Sequence, residues 1–405
     1  MANEKKKKKT FQKPPRLLYS AAFLLMKLVY RVRYGVTVDR SGVADLKGPA
    51  LVLAPHISGK DHVLVGLALY PERPTFVLSE HFMAIRPLRP ILKMMHVITK
   101  KMFCADVSTI MNILRAKRAG NVIVLFPEGR LTWYGHSGAV TPGTADLVKK
   151  LGVNVYCVTS NGAYLTFPKW GKSKRRGGKI RIETSKIMEG AEAAALSVEA
   201  IEKRIADAIR HDEETAMPGV RYRCKDTTAG LTDILYRCPV CKKENTLEAG
   251  GGHIRCTSCG MDAVLDEYYK LTGCPFEGIN AWYDWQASEI DVSSTVLEGK
   301  VRLGAVNEKG NMDASAGEGT IRYDREAMTV SGVLFGEPFD ASVPSDKIAA
   351  LPITVGVHFD VYIGGRLLYV YPEDRRDVIR YVALCDRIKE MAGASCKTPP
   401  DPQKP

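Results

Sequence analysis

The chain has 405 residues, beyond the ~250 to 300 at which a single hydrophobic core usually divides, so two or three domains are expected. Hydrophobic content of 45% and charged content of 25% exclude a mainly disordered or collagen-like chain, and ten cysteines are too few for a disulfide scaffold. The net charge of +13 is uneven: residues 1–216 carry 36 Lys+Arg against 18 Asp+Glu, and residues 217–405 carry 22 against 27, so an anionic partner is expected at the first half.

Residues 1–35 open with five consecutive lysines at positions 5–9, followed by an apolar stretch at 17–30 that only Lys27 interrupts. Fourteen residues fall short of the ~20 that a membrane-spanning helix needs. At 100° per residue, Arg16, Ser20, Lys27, Arg31 and Tyr34 gather on one narrow stripe, with leucines over most of the rest. That pattern predicts a helix lying in a membrane interface, its basic run favouring an anionic, cytoplasmic leaflet. A signal peptide is the rival, but Lys27 breaks its middle and no small-residue cleavage pattern follows.

Residues 36–216 alternate short apolar runs with helical spacing. Runs at 50–54, 75–78, 97–99, 121–126 and 153–158 predict strands, and 61–69, 107–119 and 144–151 predict crossover helices, which makes an α/β domain with a largely parallel sheet. In such folds, polar residues just past the strand ends are where chemistry is sought. Two places qualify. His56 and Asp61 are separated by four residues at a strand-to-helix turn, where an imidazole can take a proton from an alcohol and a carboxylate on its other nitrogen can fix the tautomer. Glu128, Gly129 and Arg130 follow Phe126-Pro127 at another strand end: an acid, a glycine that admits close backbone approach, and an arginine suited to phosphate. Residues 169–181 hold seven basic residues, no acids, and Trp170, a second basic patch. Residues 196–210 have the spacing of an amphipathic helix, and 217–233 a linker's composition.

In this order, His56-x4-Asp61 and Phe126-Pro127-Glu128-Gly129 resemble the paired motifs of the glycerolipid acyltransferases typified by 1-acylglycerol-3-phosphate acyltransferase, over about residues 15–210. The resemblance implies acyl transfer from a thioester on coenzyme A or acyl carrier protein to a hydroxyl of a glycerol phosphate or lysophospholipid. It implies His56 as general base, Asp61 as its orienting partner, and Glu128, Gly129 and Arg130 in the acceptor site. Ile98-Thr99-Lys100 stands where the family has a block ending in Ile-Asp-Arg, so Lys100 or Lys101 is the implied phosphate contact. Arg130 directly after Gly129 resembles the 2-acylglycerophosphoethanolamine acyltransferase subset, and the strand at 153–158 lacks the two prolines usual in the family. A cytoplasmic membrane face, with a peripheral or monotopic attachment, is the expected location.

Cys238-x2-Cys241 and Cys256-x2-Cys259, fourteen residues apart, predict a structural zinc ribbon over residues 234–262. His253 is expected to be a loop residue and not a ligand. Ribbons often meet nucleic acid, but the acidic balance of this half argues against it. After a connector at 263–295, residues 296–393 show alternating β-branched segments, a Gly364-Gly365 hairpin signal, and a helix from 374 to about 391. Strands closed by one terminal helix resemble a pleckstrin-homology-like domain; residues 394–405 form a tail expected to be disordered. Two rival readings remain open: a catalytically inactive lipid-binding protein of the same fold, and a zinc-ribbon adaptor for nucleic acid or protein.

Overall fold

The computed structural model describes residues 12–101, 106–176 and 178–391; the lysine run at 5–9 and the tail at 394–405 lie outside the described residues. Helix α1 (Arg16–Tyr34) stops at Gly35, whose φ of 56° lets its N–H return to the Tyr30 carbonyl. One face of α1 is not free for a membrane. Tyr19 and Phe23 are buried, and Phe23 lies so close over Gly66 that a Cβ there would sit 2.3 Å from its ring. The opposite face leaves Leu17, Leu18, Leu24, Leu25, Leu28 and Val32 more than half exposed.

Next come β1 (Thr37–Val38), β2 (Ala50–Leu53), α2 (Asp61–Leu69), β3 (Thr75–Ser79), α3 (His81–Ala84), α4 (Arg89–Met94) and β4 (Ile98–Lys100). They are followed by α5 (Val107–Arg118), β5 (Val122–Leu125), α6 (Thr144–Leu151), β6 (Asn154–Asn161), α7 (Ala163–Thr166), β7 (Arg175–Arg176) and β8 (Arg181–Met188). Helices α8 (Gly190–Ala195), α9 (Val198–Ile209) and α10 (Glu213–Ala216) complete this part. Seven strands form one sheet in the order β1-β8-β6-β2-β5-β3-β4, mostly parallel, with only β6 and β8 antiparallel. The central strands β2 and β5 are apolar and buried at every position because helices cover both faces. Ala50 and Val52 pack toward α1 and α2, while Leu51 and Leu53 pack toward α5, α6 and α9. With β2, β5, β3 and β4 parallel, their C-terminal ends share one edge of the sheet, and that edge carries the site.

The second half begins with β9 (Arg223–Cys224), which pairs with β7. A four-stranded antiparallel sheet follows: β10 (Leu247–Gly250), β11 (His253–Cys256), β12 (Asp262–Leu265) and β13 (Leu271–Thr272). Helix α11 (Ile279–Ser288) leads into β14 (Leu297–Val306), β15 (Met312–Tyr323), β16 (Ala327–Leu334), β17 (Glu337–Pro344), β18 (Ile353–Thr354), β19 (His358–Ile363), β20 (Arg366–Pro372) and α12 (Asp377–Met391). These seven strands form an antiparallel sheet in the order β17-β16-β15-β14-β20-β19-β18. Gly364 and Gly365, at φ 58° and 73°, make the tight turn between β19 and β20 that their sequence predicts.

The two halves share a core. Trp133, Tyr164 and Trp170 from the first half are buried in one cluster with Cys238, Trp282, Tyr323 and Leu384 from the second. Tyr222 and Leu231, within the 217–233 stretch, are buried there as well. Trp170, part of the basic 169–181 patch, donates its indole N–H to Tyr164 at 2.8 Å, and Trp282 donates to the Arg237 carbonyl at 3.0 Å.

Candidate active site

Strand β2 ends in the central position of the sheet and hands the chain through Pro55 to His56 before α2 starts at Asp61. The turn brings His56 Nδ1 to 2.8 Å from Asp61 Oδ2, which also accepts the Ser58 backbone N–H at 2.9 Å. Asp61 is buried while the imidazole is partly open. Burial pushes the Asp61 carboxyl up from its ordinary range, and the His56 and Ser58 bonds pull against that shift. With Nδ1 engaged, Nε2 is the nitrogen left for a substrate hydroxyl.

Residues 126–132 grip His56 from β5. Phe126 stacks on the imidazole at 4.5 Å between centroids. Glu128 Oε1 accepts the His56 backbone N–H at 2.7 Å, and the Thr132 N–H donates to the His56 carbonyl at 2.9 Å, so both backbone groups of the histidine are tied to one loop. The other Glu128 oxygen accepts the Gly138 N–H. Gly129 has φ 72°, and a Cβ there would lie 2.8 Å from Thr141, so the loop needs glycine at this point. A second histidine, His62, packs edge-on to His56 and Phe126; burial pulls its pKa down to about 3, so it stays neutral near pH 7.

Arg130 turns away from this cluster. Its two terminal nitrogens donate to both oxygens of Asp386 on α12, at 2.9 and 2.7 Å, and its guanidinium lies 4.8 Å from the Trp133 ring centroid. Burial works against the charge, and the Asp386 carboxylate outweighs it, so the guanidinium is held firmly protonated. Removing either partner of this half-buried pair should lower both stability and turnover. The double change Arg130→Ala with Asp386→Ala should cost less than the sum of the singles, a coupling of about 1 to 3 kcal/mol in denaturant melts. Strictly additive losses would mean that the bridge does not couple the catalytic loop to α12.

Lys100 ends β4, separated from β2 by β5 and β3. Burial lowers its pKa, with Asp106 opposing. The backbone N–H of Lys101 donates to Asp106, and its side chain is exposed. Thus His56, Asp61 and Glu128 come together, while Arg130, Lys100 and Lys101 stand apart from them. Lys169, from the basic patch, comes close to the turn: a Cβ on Gly59 would lie 3.7 Å from its Nζ. The roles of Thr132 and Asp386 had no local signal, since each depends on a contact between distant parts of the chain.

The four cysteines converge as their spacing predicts. Sγ of Cys238 lies 3.7 Å from that of Cys259, Sγ of Cys241 lies 3.7 Å from that of Cys256, and all four fall within 4.8 Å of one another. Zinc–sulfur bonds of about 2.3 Å in a tetrahedron put sulfurs about 3.8 Å apart, so the cluster is compatible with zinc. His253 instead bonds Asp262 at 2.8 Å.

Residues 35–161 match the family model described as Acyltransferase. Among solved structures, the chain is similar to the 1-acyl-sn-glycerophosphate (LPA) acyltransferase PlsC from Thermotoga maritima, at 16% identity over 48% of this chain and 92% of that one, with a TM-score of 0.37. A likeness that low adds nothing to the family match. That match covers the whole His56–Asp61 turn and the Glu128–Arg130 loop, so it is over residues 35–161, the part of the chain that holds the site, that the chain is similar to the Acyltransferase family.

Proposed function

We propose that the chain moves a fatty acyl group from a thioester donor, on coenzyme A or acyl carrier protein, to a hydroxyl of a glycerol phosphate or lysophospholipid at a membrane surface. The observation that carries this reading is the 2.8 Å bond between His56 Nδ1 and Asp61, which leaves Nε2 to act as base. As the acceptor oxygen attacks the thioester carbonyl, its proton passes to Nε2 and a carbon–oxygen bond forms. Collapse of the tetrahedral intermediate breaks the carbon–sulfur bond, and the imidazolium returns the proton to the departing thiolate. Asp61 stabilises the imidazolium in between. Glu128 and Gly129 support the acceptor site by shaping the loop that holds His56, and Arg130 braces that loop through Asp386. Lys60 and Lys169, the cations beside the turn, suit an acceptor phosphate, which is separated from the reacting hydroxyl by only a few bonds.

The exposed leucine face of α1 supports a peripheral membrane contact. Among the described residues, no helix is long and apolar enough to cross a membrane. The four cysteines would hold a structural zinc that fills no catalytic position. Seven antiparallel strands closed by α12 support the pleckstrin-homology-like reading of the last module.

A screen of labelled acyl-coenzyme A and acyl-carrier protein against glycerol phosphate and lysophospholipids should find transfer to at least one acceptor. Transfer from neither donor to any acceptor would remove the reading. In the same assay, replacing Leu17, Leu24 and Leu28 with glutamine should abolish flotation with vesicles and use of bilayer lipid, while a water-soluble short-chain acceptor is still acylated. Because Tyr19 and Phe23 belong to the core, this variant is cleaner than deleting α1. Undiminished flotation would discard α1 as the membrane contact.

A further inference from the structure

A cleft of about 680 Å³ opens between the two halves of the chain, at the C-terminal ends of β3 and β4, and continues beside the β19–β20 hairpin. We infer that it binds the nucleotide end of a coenzyme A thioester. The inference rests on the acyltransferase reading above and names where its donor lies. Arg89 from the first half and Arg366 from the second both line the cleft, with Glu80 and Tyr362 also in its lining and Met83 and Leu367 supplying apolar wall.

Two arguments carry the assignment. The first is distance along the edge. His56 follows β2, and the cleft lies at β3 and β4; the order β2-β5-β3-β4 puts β4 three strand spacings, roughly 14 Å, from β2. An acceptor's phosphate is joined to the hydroxyl that reacts by a short glycerol backbone, so a phosphate site this far along serves it poorly. A coenzyme A thioester has the opposite geometry, its phosphates held away from the sulfur by the long pantetheine arm. Such an arm can lie along the strand ends with the thioester at His56.

The second argument is the chemistry of the lining. Arg89 is pre-oriented, since it donates to the Met83 carbonyl at 2.7 Å and the Gly310 carbonyl at 3.2 Å, and its guanidinium keeps further N–H groups for a ligand. Arg366, at the exposed turn of the hairpin, has no side-chain partner among the described residues. Lys100 ends the strand whose Thr99 lines the cleft. A bare phosphate has no use for Glu80, whereas a nucleotide offers ribose hydroxyl and amino donors to a carboxylate and a ring to Tyr362. The combination of two arginines, one acid, an aromatic ring and an apolar wall fits a phosphorylated nucleoside better than a lone anion or a lipid tail.

The test uses the full chain and free coenzyme A as probe, with pantetheine as its control. Calorimetry should show coenzyme A binding at least tenfold tighter than pantetheine. Arg366→Glu, on an exposed turn, should remove most of that advantage and leave pantetheine unaffected. Arg89→Ala should act in the same direction, although its two backbone contacts make it the less clean variant. In turnover, Arg366→Glu should raise the KM for acyl-coenzyme A about tenfold, with acceptor KM and the KM for an acyl-pantetheine unchanged. Equal binding of coenzyme A and pantetheine by the unmodified protein would overturn the assignment, as would an Arg366→Glu protein with unaltered coenzyme A affinity, or exclusive use of acyl carrier protein as donor. Arginine-dependent coenzyme A binding by a protein that transfers no acyl group would uphold the cleft and remove the acyltransferase reading instead.

Discussion

His56→Ala is expected to lower turnover by on the order of 10²-fold or more while leaving the melting temperature close to that of the unmodified protein. The fold should survive because the contacts that fix this turn to residues 128–132 are made by the His56 backbone, not its ring. Asp61→Asn should cripple turnover to a similar degree for a different reason: an amide N–H facing Nδ1 would select the tautomer that leaves the wrong nitrogen protonated. The pH profile adds a second readout. His62, at a pKa of about 3, is neutral throughout the working range, so it adds no charge change of its own to a fall in rate as pH drops. His62→Phe should therefore keep the acid limb of the profile. Near-normal transfer by purified, folded His56→Ala protein would sink the mechanism, and an acid limb that vanished with His62→Phe would reassign the base.

The second large effect is expected at the cysteines. Metal analysis should find about one zinc per chain, and Cys238→Ser should destabilise the second half of the chain by at least ~3 kcal/mol, about 6 °C or more in its Tm. The loss should not stay within the ribbon. Cys238 and Cys256 lie in the same buried cluster as Trp133 and Trp170, next to the loop that holds His56, and as Leu384 of α12. Chelation should therefore loosen α12, and with it the Asp386 brace on Arg130, so activity should fall in step with the melting of the second half. Activity lost at an unchanged Tm would point to a metal that takes part in chemistry.

Features whose cause lies within a few residues are legible in the chain alone. The β2 and β5 runs are apolar because both faces of that sheet are covered, and this is visible without knowing what covers them. The His56–Asp61 bond is made inside one turn, and each Cys-x2-Cys pair inside one knuckle, so spacing sufficed for both. The Gly364-Gly365 turn is equally local. Two stretches of the last sheet lacked such a cause. β17 (Glu337–Pro344) has no fully buried residue, and the start of β15 reads Met312-Asp313-Ala314-Ser315-Ala316, where pairing with β14 outweighs weak strand propensity.

How the site is held depends on contacts between distant parts of the chain. Glu128 reaches the His56 amide across 72 positions, and Arg130 meets Asp386 across 256. Sequence order could give Arg130 a chemistry but not a partner, because a guanidinium suits a phosphate and a carboxylate equally well and only packing sets which one is in reach. Lys169 comes to Gly59, and Arg366 and Arg89 come to line one cleft, for the same reason: folding brings together side chains that no local pattern connects.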